Sequence, residues 1–123
     1  MSGCSVKEAD IPYISSSEQN YIIETATSYL DSVPVTVTTS VCERSAGNQH
    51  DFYSEGDYWW PDPSKPNGLP YIRRDGATNP ENFSQHRLAM KVLRDNVAAL
   101  AAAYKLTKEE KYAVKAMEFL DVF

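Results

Sequence analysis

The sequence predicts an all-α fold that combines an antiparallel helix hairpin with a long ordered loop rich in aromatic residues and prolines. Two observations support this prediction. Along residues 80–123, apolar side chains recur at alternating steps of three and four, as on one face of an α-helix. Residues 42–78 have no such period, yet they hold six of the fourteen aromatic residues. Because disordered segments avoid aromatics, we expect this loop to be packed.

A first helix is predicted over residues 17 to about 31. Ser15 or Ser16 can cap its amino end, and Pro34 prevents its continuation. Residues 35–41 are rich in β-branched side chains, so a short extended segment is expected there. The apolar positions of the helix follow the helical spacing: Ile22, Ile23, Ala26, Tyr29, Leu30 and Val33.

The loop over residues 42–78 contains four of the seven prolines and two turn-forming pairs, Asn67-Gly68 and Asp75-Gly76. A connection of this length without regular structure is uncommon in a compact domain, and when ordered it is usually functional. The loop is therefore where we look first for a binding site.

Two further helices are predicted after the loop. The first has Asn79 as its cap and Pro80 at its first position, and it reaches about Lys105. A capping box from Thr107 to Glu110 then starts the last helix, and the short connection makes the two helices antiparallel neighbours. The predicted apolar faces are Met90, Leu93, Val97, Leu100 and Tyr104 on the first, and Tyr112, Ala113, Ala116, Phe119, Leu120 and Phe123 on the second.

Composition narrows the possible functions. Apolar residues make up 42% and charged residues 24%, as in globular proteins, and the net charge is −5. A negative chain repels phosphate backbones, so a general nucleic-acid binder is not expected. Cys4 and Cys42 match no zinc spacing, and the chain has no phosphate-binding loop or dinucleotide motif. We expect no metal and no cofactor.

The two ends of the chain give the domain boundaries. Met1-Ser2-Gly3-Cys4 looks like the last residues of a bacterial lipoprotein signal, in which Cys4 is lipidated, although the preceding apolar region is absent. An ordinary cytosolic start accounts for these residues equally well. We expect residues 1–16 to be a signal-peptide remnant and tether. Residues 17–123 would be a domain truncated at its carboxyl end, since the last apolar face ends without a stop signal.

The densest group of candidate functional residues lies within His50–Pro63. Adjacent Trp and Tyr rings beside carboxylates and prolines suit a carbohydrate groove, where sugar rings stack on aromatic faces. A single tryptophan more often fills a core, but the cluster on a proline-rich loop favours binding. Tyr58, Trp59 and Trp60 are the candidate stacking residues.

Arg73 and Arg74 are the only concentrated positive charge outside the helices. Because guanidinium groups bind carboxylates bidentately, both arginines are candidate contacts for an acidic sugar. An ion pair with Asp75 would occupy one of them, so we expect one structural and one ligand-facing arginine.

The remaining polar residues of the loop carry weaker signals. His50 and His86 are the two histidines, and each is expected to be structural rather than catalytic. Three nearby acidic residues match no calcium loop and are interpreted as ordinary loop carboxylates: Asp51, Glu55 and Asp57.

These motifs together resemble the alginate lyase family of bacterial polysaccharide lyases. The resemblance covers about residues 20–123 and rests on HDFYSEGDYWWPDP at 50–63, GLPYIRRDG at 68–76, and Asn79-Pro80, with His86-Arg87 ahead of the alanine-rich hairpin. It implies a partial (α/α) toroid, an incomplete helical barrel with a cleft for an anionic polysaccharide. It also implies a periplasmic or outer-membrane-anchored protein, which agrees with the lipoprotein-like start.

The resemblance further implies a reaction and the position of its catalytic residues. Family members cleave uronate polymers by β-elimination, using an Asn-His pair, an Arg and a Tyr that we expect beyond Phe123. We therefore assign no catalytic role to any residue of this sequence, and the fragment alone is expected to be inactive. Its expected partner is an acidic polysaccharide, with membrane contact only through a lipid anchor.

Two other interpretations remain. A non-catalytic surface lipoprotein could bind glycans through the same aromatic loop. A helical-repeat interaction module is suggested by Leu100–Leu120, which reads like a tetratricopeptide pair, but repeat arrays need about three copies to be stable.

Overall fold

The computed structural model describes residues 14–123. The predicted all-α class is confirmed, since within these described residues three α-helices are accompanied only by a short 3-10 helix and two strands of two residues each. Cys4 and most of the predicted tether lie outside the described residues. In chain order the elements are α1 (Ser16–Tyr29), the 3-10 helix (Val37–Thr39), β1 (Trp59–Trp60), β2 (Ile72–Arg73), α2 (Gln85–Thr107) and α3 (Glu110–Val122).

The chain divides into two compact units. Among the described residues, the helical unit consists of 14–34 and Val92–Phe123, and the loop unit consists of Val35–Lys91. None of the helices within residues 14–123 combines the length and the apolar character that crossing a bilayer requires.

Helix α1 begins as its sequence predicts. The Ser15 hydroxyl accepts a hydrogen bond from the Glu18 backbone N–H (3.3 Å), and the Glu18 carboxylate accepts one from the Ser15 N–H (2.9 Å). This reciprocal pair is a capping box. The helix ends at Tyr29, earlier than predicted, and the chain turns before it reaches Pro34.

The capping box predicted at Thr107 is wrong. The Thr107 hydroxyl donates to the Ala103 carbonyl (2.8 Å) and accepts from the Glu109 backbone N–H (3.1 Å), so Thr107 still belongs to α2. Lys108 then has a φ of 60°, which reverses the chain. Helix α3 starts after Glu109, whose side chain makes no capping hydrogen bond.

The core of the helical unit combines small and large apolar residues. Ala26, Ala103 and Ala116 belong to one buried cluster, in which Leu100 and Phe119 are the largest fully buried side chains. Tyr112 is also buried, and its hydroxyl lies 2.9 Å from the Thr27 hydroxyl, which satisfies the polar tip of the ring.

Several predicted apolar positions are wrong in detail. On α2 the buried face runs through Asn96, Leu100 and Ala103, so Tyr104 lies at its edge and is 39% exposed. Ala103 is fully buried in its place, so the buried face is rotated by one residue from the predicted one. Val33, Met90 and Leu120 are likewise exposed.

The loop unit has little regular structure. The extended segment predicted over 35–41 is interrupted by the 3-10 helix, which Thr36 caps by accepting a hydrogen bond from the Thr38 N–H (3.2 Å). The two strands pair antiparallel, and a hydrogen bond from the Arg74 N–H to the Tyr58 carbonyl (2.8 Å) extends the ribbon. Both predicted turn glycines, Gly68 and Gly76, adopt positive φ.

Candidate functional site

The ribbon separates the five predicted binding residues onto two faces. Trp59 pairs with Arg73 and Trp60 with Ile72. Because directly paired side chains share a face and successive ones alternate, Trp59 and Arg73 lie on one face. The same alternation assigns Tyr58, Trp60 and Arg74 to the other face. The predicted site is therefore not one continuous surface of the ribbon.

The two arginines have different partners. Arg73 forms the expected ion pair with Asp75, with its Nε 2.6 Å from the carboxylate and both side chains exposed. The Arg74 guanidinium lies over the Trp60 ring, 5.1 Å from the ring centroid, as a cation–π contact. Trp60 is itself fixed by a hydrogen bond from its Nε1–H to the Ala77 carbonyl (2.8 Å).

Trp59 lines a cleft of the loop unit. This cleft has a volume of about 680 Å³, within the usual size range of small-molecule sites. Trp59, 43% exposed, Tyr71 and Tyr53 contribute its aromatic lining, and Arg44 and Glu55 its charged groups. Aromatic surface next to a charged pair is suited to a sugar ring that carries a polar or ionic substituent.

Gly56 sets the position of the Trp59 indole. A Cβ atom at residue 56 would collide with Cδ1 of Trp59, so only glycine lets the ring lie against the backbone there. The cleft is thus shaped by a close approach that no larger residue permits.

Glu55 is the organising residue that the sequence interpretation missed. Its carboxylate accepts two hydrogen bonds from Arg44, from Nε and Nη2 at 2.7 Å each, and one from the Phe83 backbone N–H at 2.7 Å. The Tyr53 hydroxyl adds a fourth at 3.0 Å, and the Glu55 side chain is only 8% exposed. Its interpretation as an ordinary loop carboxylate is therefore wrong.

This network shifts the pKa values of its members. Hydrogen bonds from Arg44 lower the pKa of Glu55 to about 2, against an opposing effect of burial. The same pairing raises the pKa of Arg44. Burial, and then the hydrogen bond to Glu55, raise the pKa of Tyr53. At neutral pH the cleft therefore holds an ionised Arg44–Glu55 pair beside a neutral phenol.

His86 is structural, as expected. It is 4% exposed, and its Nδ1 accepts a hydrogen bond from the Tyr53 backbone N–H (2.9 Å). The Nε2 atom therefore carries the proton and donates to the Ser40 carbonyl at 2.7 Å. Phe83 packs edge-on against the ring. His50, by contrast, is exposed.

Asn79 does not cap α2, which starts at Gln85. Its backbone N–H donates to the Asp57 carbonyl (2.7 Å), and its buried side-chain amide donates to the Trp59 carbonyl (3.1 Å). Asn82 donates to the carbonyls of Gly56 (2.6 Å) and Trp59 (3.1 Å). Two side-chain amides thus hold the backbone of the aromatic segment, residues 56–59, and α2 starts only at Gln85.

The other acidic residues of the loop have ordinary partners. Asp57 pairs with Arg87 at 2.6 Å, and Asp51 accepts a hydrogen bond from the Asn48 N–H at 2.7 Å. Over residues 14–123, no three potential ligands among His, Cys, Asp and Glu come together as a metal site.

Comparisons with known proteins agree with this architecture. The sequence model of the family Alginate lyase matches residues 36–123. The chain is similar to the crystal structure of an alginate lyase from Bacteroides ovatus, with 40% sequence identity and a TM-score of 0.77. That match covers 94% of this chain and 30% of the length of the other. No curated protein sequence matches. The family match spans most of the sequence and confirms the resemblance, and so this chain belongs to the alginate lyase family.

Proposed function

We propose that the chain is part of a polysaccharide lyase that cleaves alginate or a related uronate polymer by β-elimination, and that the loop unit supplies part of its substrate cleft. The observation that carries the cleft assignment is the half-exposed indole of Trp59 in a cleft that also contains an arginine. Family membership supports the reaction class.

β-Elimination at a uronate needs three groups. One neutralises the carboxylate, a base removes the C5 proton, and an acid protonates the departing glycosidic oxygen. His86 is a poor candidate for proton transfer because both of its ring nitrogens are bound to backbone groups. Since the chain spans 30% of the length of its solved relative, we assign the catalytic groups to the part of the toroid beyond Phe123.

The proposed substrate contacts are the five residues that the sequence singles out. Trp59 and Arg73 would meet the polymer on one face of the ribbon. Tyr58, Trp60 and Arg74 would do so on the other, with Trp60 and Arg74 acting as one stacked unit. Both faces are used only if the polymer passes along the ribbon edge or if other parts of the toroid approach the second face.

We also propose that the protein is a periplasmic or outer-membrane-anchored lipoprotein, lipidated at Cys4. Support comes only from the residues Met1-Ser2-Gly3-Cys4. Mass spectrometry of the protein from bacterial membranes tests this proposal, since lipidated Cys4 would be the first residue of the mature chain. An unmodified protein that starts at Met1 would contradict it.

The experiment that tests the function uses the open reading frame extended in both directions, incubated with alginate. Ultraviolet absorbance of the unsaturated product measures β-elimination, and the 123-residue chain serves as the parallel sample. We expect product with the extended protein only. Product with the short chain would place the catalytic groups among the described residues. Binding of alginate without product from either would instead favour a non-catalytic glycan-binding lipoprotein.

Substitutions in the extended protein test the proposed contacts. Trp59→Ala removes a stacking surface and Arg73→Ala an exposed cation, so both should weaken affinity for oligouronates. The Arg73 effect should decrease at high salt because exposed charges are screened. Arg94→Ala, which removes an exposed arginine of α2 that pairs with Asp95, is the matched control. Unchanged affinity in both test variants, with folding intact, would contradict this assignment.

A further inference from the structure

Arg44 is the arginine that faces the cleft, and the sequence motifs did not single it out. Its side chain is 48% exposed and lines the cleft together with Trp59 and Tyr71. Neither Arg73 nor Arg74 belongs to the lining of this cleft. Arg73 pairs with Asp75, and Arg74 stacks on Trp60. A ligand in the cleft therefore meets one guanidinium group, that of Arg44.

The guanidinium of Arg44 is only partly used by the protein. Its Nε and Nη2 atoms donate to the two oxygens of Glu55, and Nη2 also lies 3.3 Å from the Glu81 carbonyl. Its Nη1 atom, with two further N–H donors, has no hydrogen-bond partner within residues 14–123. The protein thus holds the group in a fixed orientation by one edge and leaves donors free at the other end.

The surroundings of these free donors suit a charged sugar. Trp59, whose ring is partly exposed, lines the same cleft, and Tyr71 adds a second aromatic side chain to the lining. A pyranose ring can stack on an aromatic face while a substituent at its edge reaches a hydrogen-bond donor. A carboxylate is the substituent that gains most from guanidinium donors, because charge-assisted hydrogen bonds are roughly twice as strong as neutral ones.

We infer that this cleft is a subsite for one uronate residue, with the sugar ring on Trp59 and its carboxylate on Nη1 of Arg44. The inference rests on the proposed function for the class of polymer. It assigns the recognition of the carboxyl group in this cleft to Arg44, a residue that carries no part of the bond-breaking chemistry.

Glu55 determines how this subsite discriminates between sugars. Since Glu55 neutralises Arg44, the cleft attracts a carboxylate by directed hydrogen bonds more than by net charge. The preference for an acidic over a neutral sugar should therefore depend only weakly on salt concentration, whereas binding to the exposed Arg73 should depend on it more strongly. Lysine at position 44 cannot hold both Glu55 oxygens and also present a free pair of donors. The Arg44→Lys variant should therefore lose the preference for an acidic over a neutral sugar.

Calorimetric titration of the 123-residue chain tests the inference. The probes are a mannuronate trisaccharide and the neutral mannose trisaccharide obtained by reduction of its carboxyl groups. We expect the wild-type chain to prefer the acidic sugar by about tenfold, the size of one good charge-assisted hydrogen bond. Trp59→Ala should weaken the binding of both sugars.

The variant that isolates Arg44 is the double substitution Arg44→Gln with Glu55→Gln, which avoids leaving a buried carboxylate without its partner. It should bind both trisaccharides equally, and tryptophan fluorescence verifies that the loop unit is folded. Arg94→Gln, at an exposed arginine outside the cleft, is the matched control and should keep the wild-type preference.

Three results would overturn the inference: no binding of either sugar by the wild-type chain, no preference in the wild type, or an undiminished preference in the double variant. These results are separate from a failure of the proposed function. Preference that depends on Arg44, without product from the extended protein, would leave the subsite in place and remove the lyase assignment. Product from the extended protein without this preference would support the lyase assignment and remove the subsite.

Discussion

Replacement of Glu55 by glutamine should destabilise the loop unit, because four donors converge on two carboxylate oxygens. An amide of the same shape offers one oxygen, so at least one donor from Arg44, Phe83 or Tyr53 loses its acceptor. The pKa of Glu55 falls from an ordinary 4.5 to about 2, which corresponds to about 3 kcal/mol of stabilisation. Arg44 is half exposed and partly screened by water, so we expect a loss of about 2 kcal/mol.

The pH dependence of this loss has a defined sign. Because the pKa of Glu55 is lowered in the folded protein, its contribution is complete above pH 4.5 and disappears as the pH falls towards about 2. The difference in unfolding free energy between wild type and Glu55→Gln should therefore be largest at neutral pH and shrink through this window.

Urea denaturation followed by tryptophan fluorescence measures this difference, since both tryptophans lie in the loop unit. Asp75→Asn is the matched control, because it removes the exposed ion pair to Arg73 and should cost no more than about 0.5 kcal/mol. The reasoning is refuted if Glu55→Gln is as stable as the control at neutral pH, or if the difference does not change on acidification.

Two further predictions concern the cleft and the helical core. Gly56→Ala should displace the Trp59 indole, which would change the fluorescence spectrum and weaken sugar binding; an unchanged spectrum would show that the close approach is not limiting. Phe119→Ala should destabilise the helical unit by about 3–5 kcal/mol in circular-dichroism melts, because this ring is 1% exposed. The exposed Leu120 provides the control: Leu120→Ala should cost far less, and equal losses would mean that the buried face of α3 is wrongly assigned.

The sequence predicted those features whose causes are local. The serine cap of α1 depends on residues three positions apart, although the structure adds the reciprocal bond to Glu18, and the turns at Gly68 and Gly76 depend on the conformational freedom of glycine. The existence of α2 and α3 follows from the helical spacing of their apolar residues, which can be recognised within a short stretch of the sequence. Each of these features could be predicted because it depends on neighbouring residues and not on partners that are distant in the chain.

Features that depend on distant partners could not be predicted in this way. Asn79 has the residue type of a helix cap, but its amide is used by the Trp59 carbonyl, twenty positions earlier in the chain. Glu55 resembles any loop carboxylate until the fold brings Arg44 and the Phe83 N–H to it. For the same reason, Arg44 carries no local sign of its position in the cleft.

The amide anchors at Asn79 and Asn82 have a consequence for how sugar specificity can change. They hold backbone carbonyls of the aromatic segment, so its path depends little on which side chains the segment carries at 58 and 59. The residues that contact the sugar are therefore different from the residues that fix the position of the backbone. A lineage, or a protein engineer, can exchange the rings that meet the sugar while two distant amides keep the new side chains in the same place.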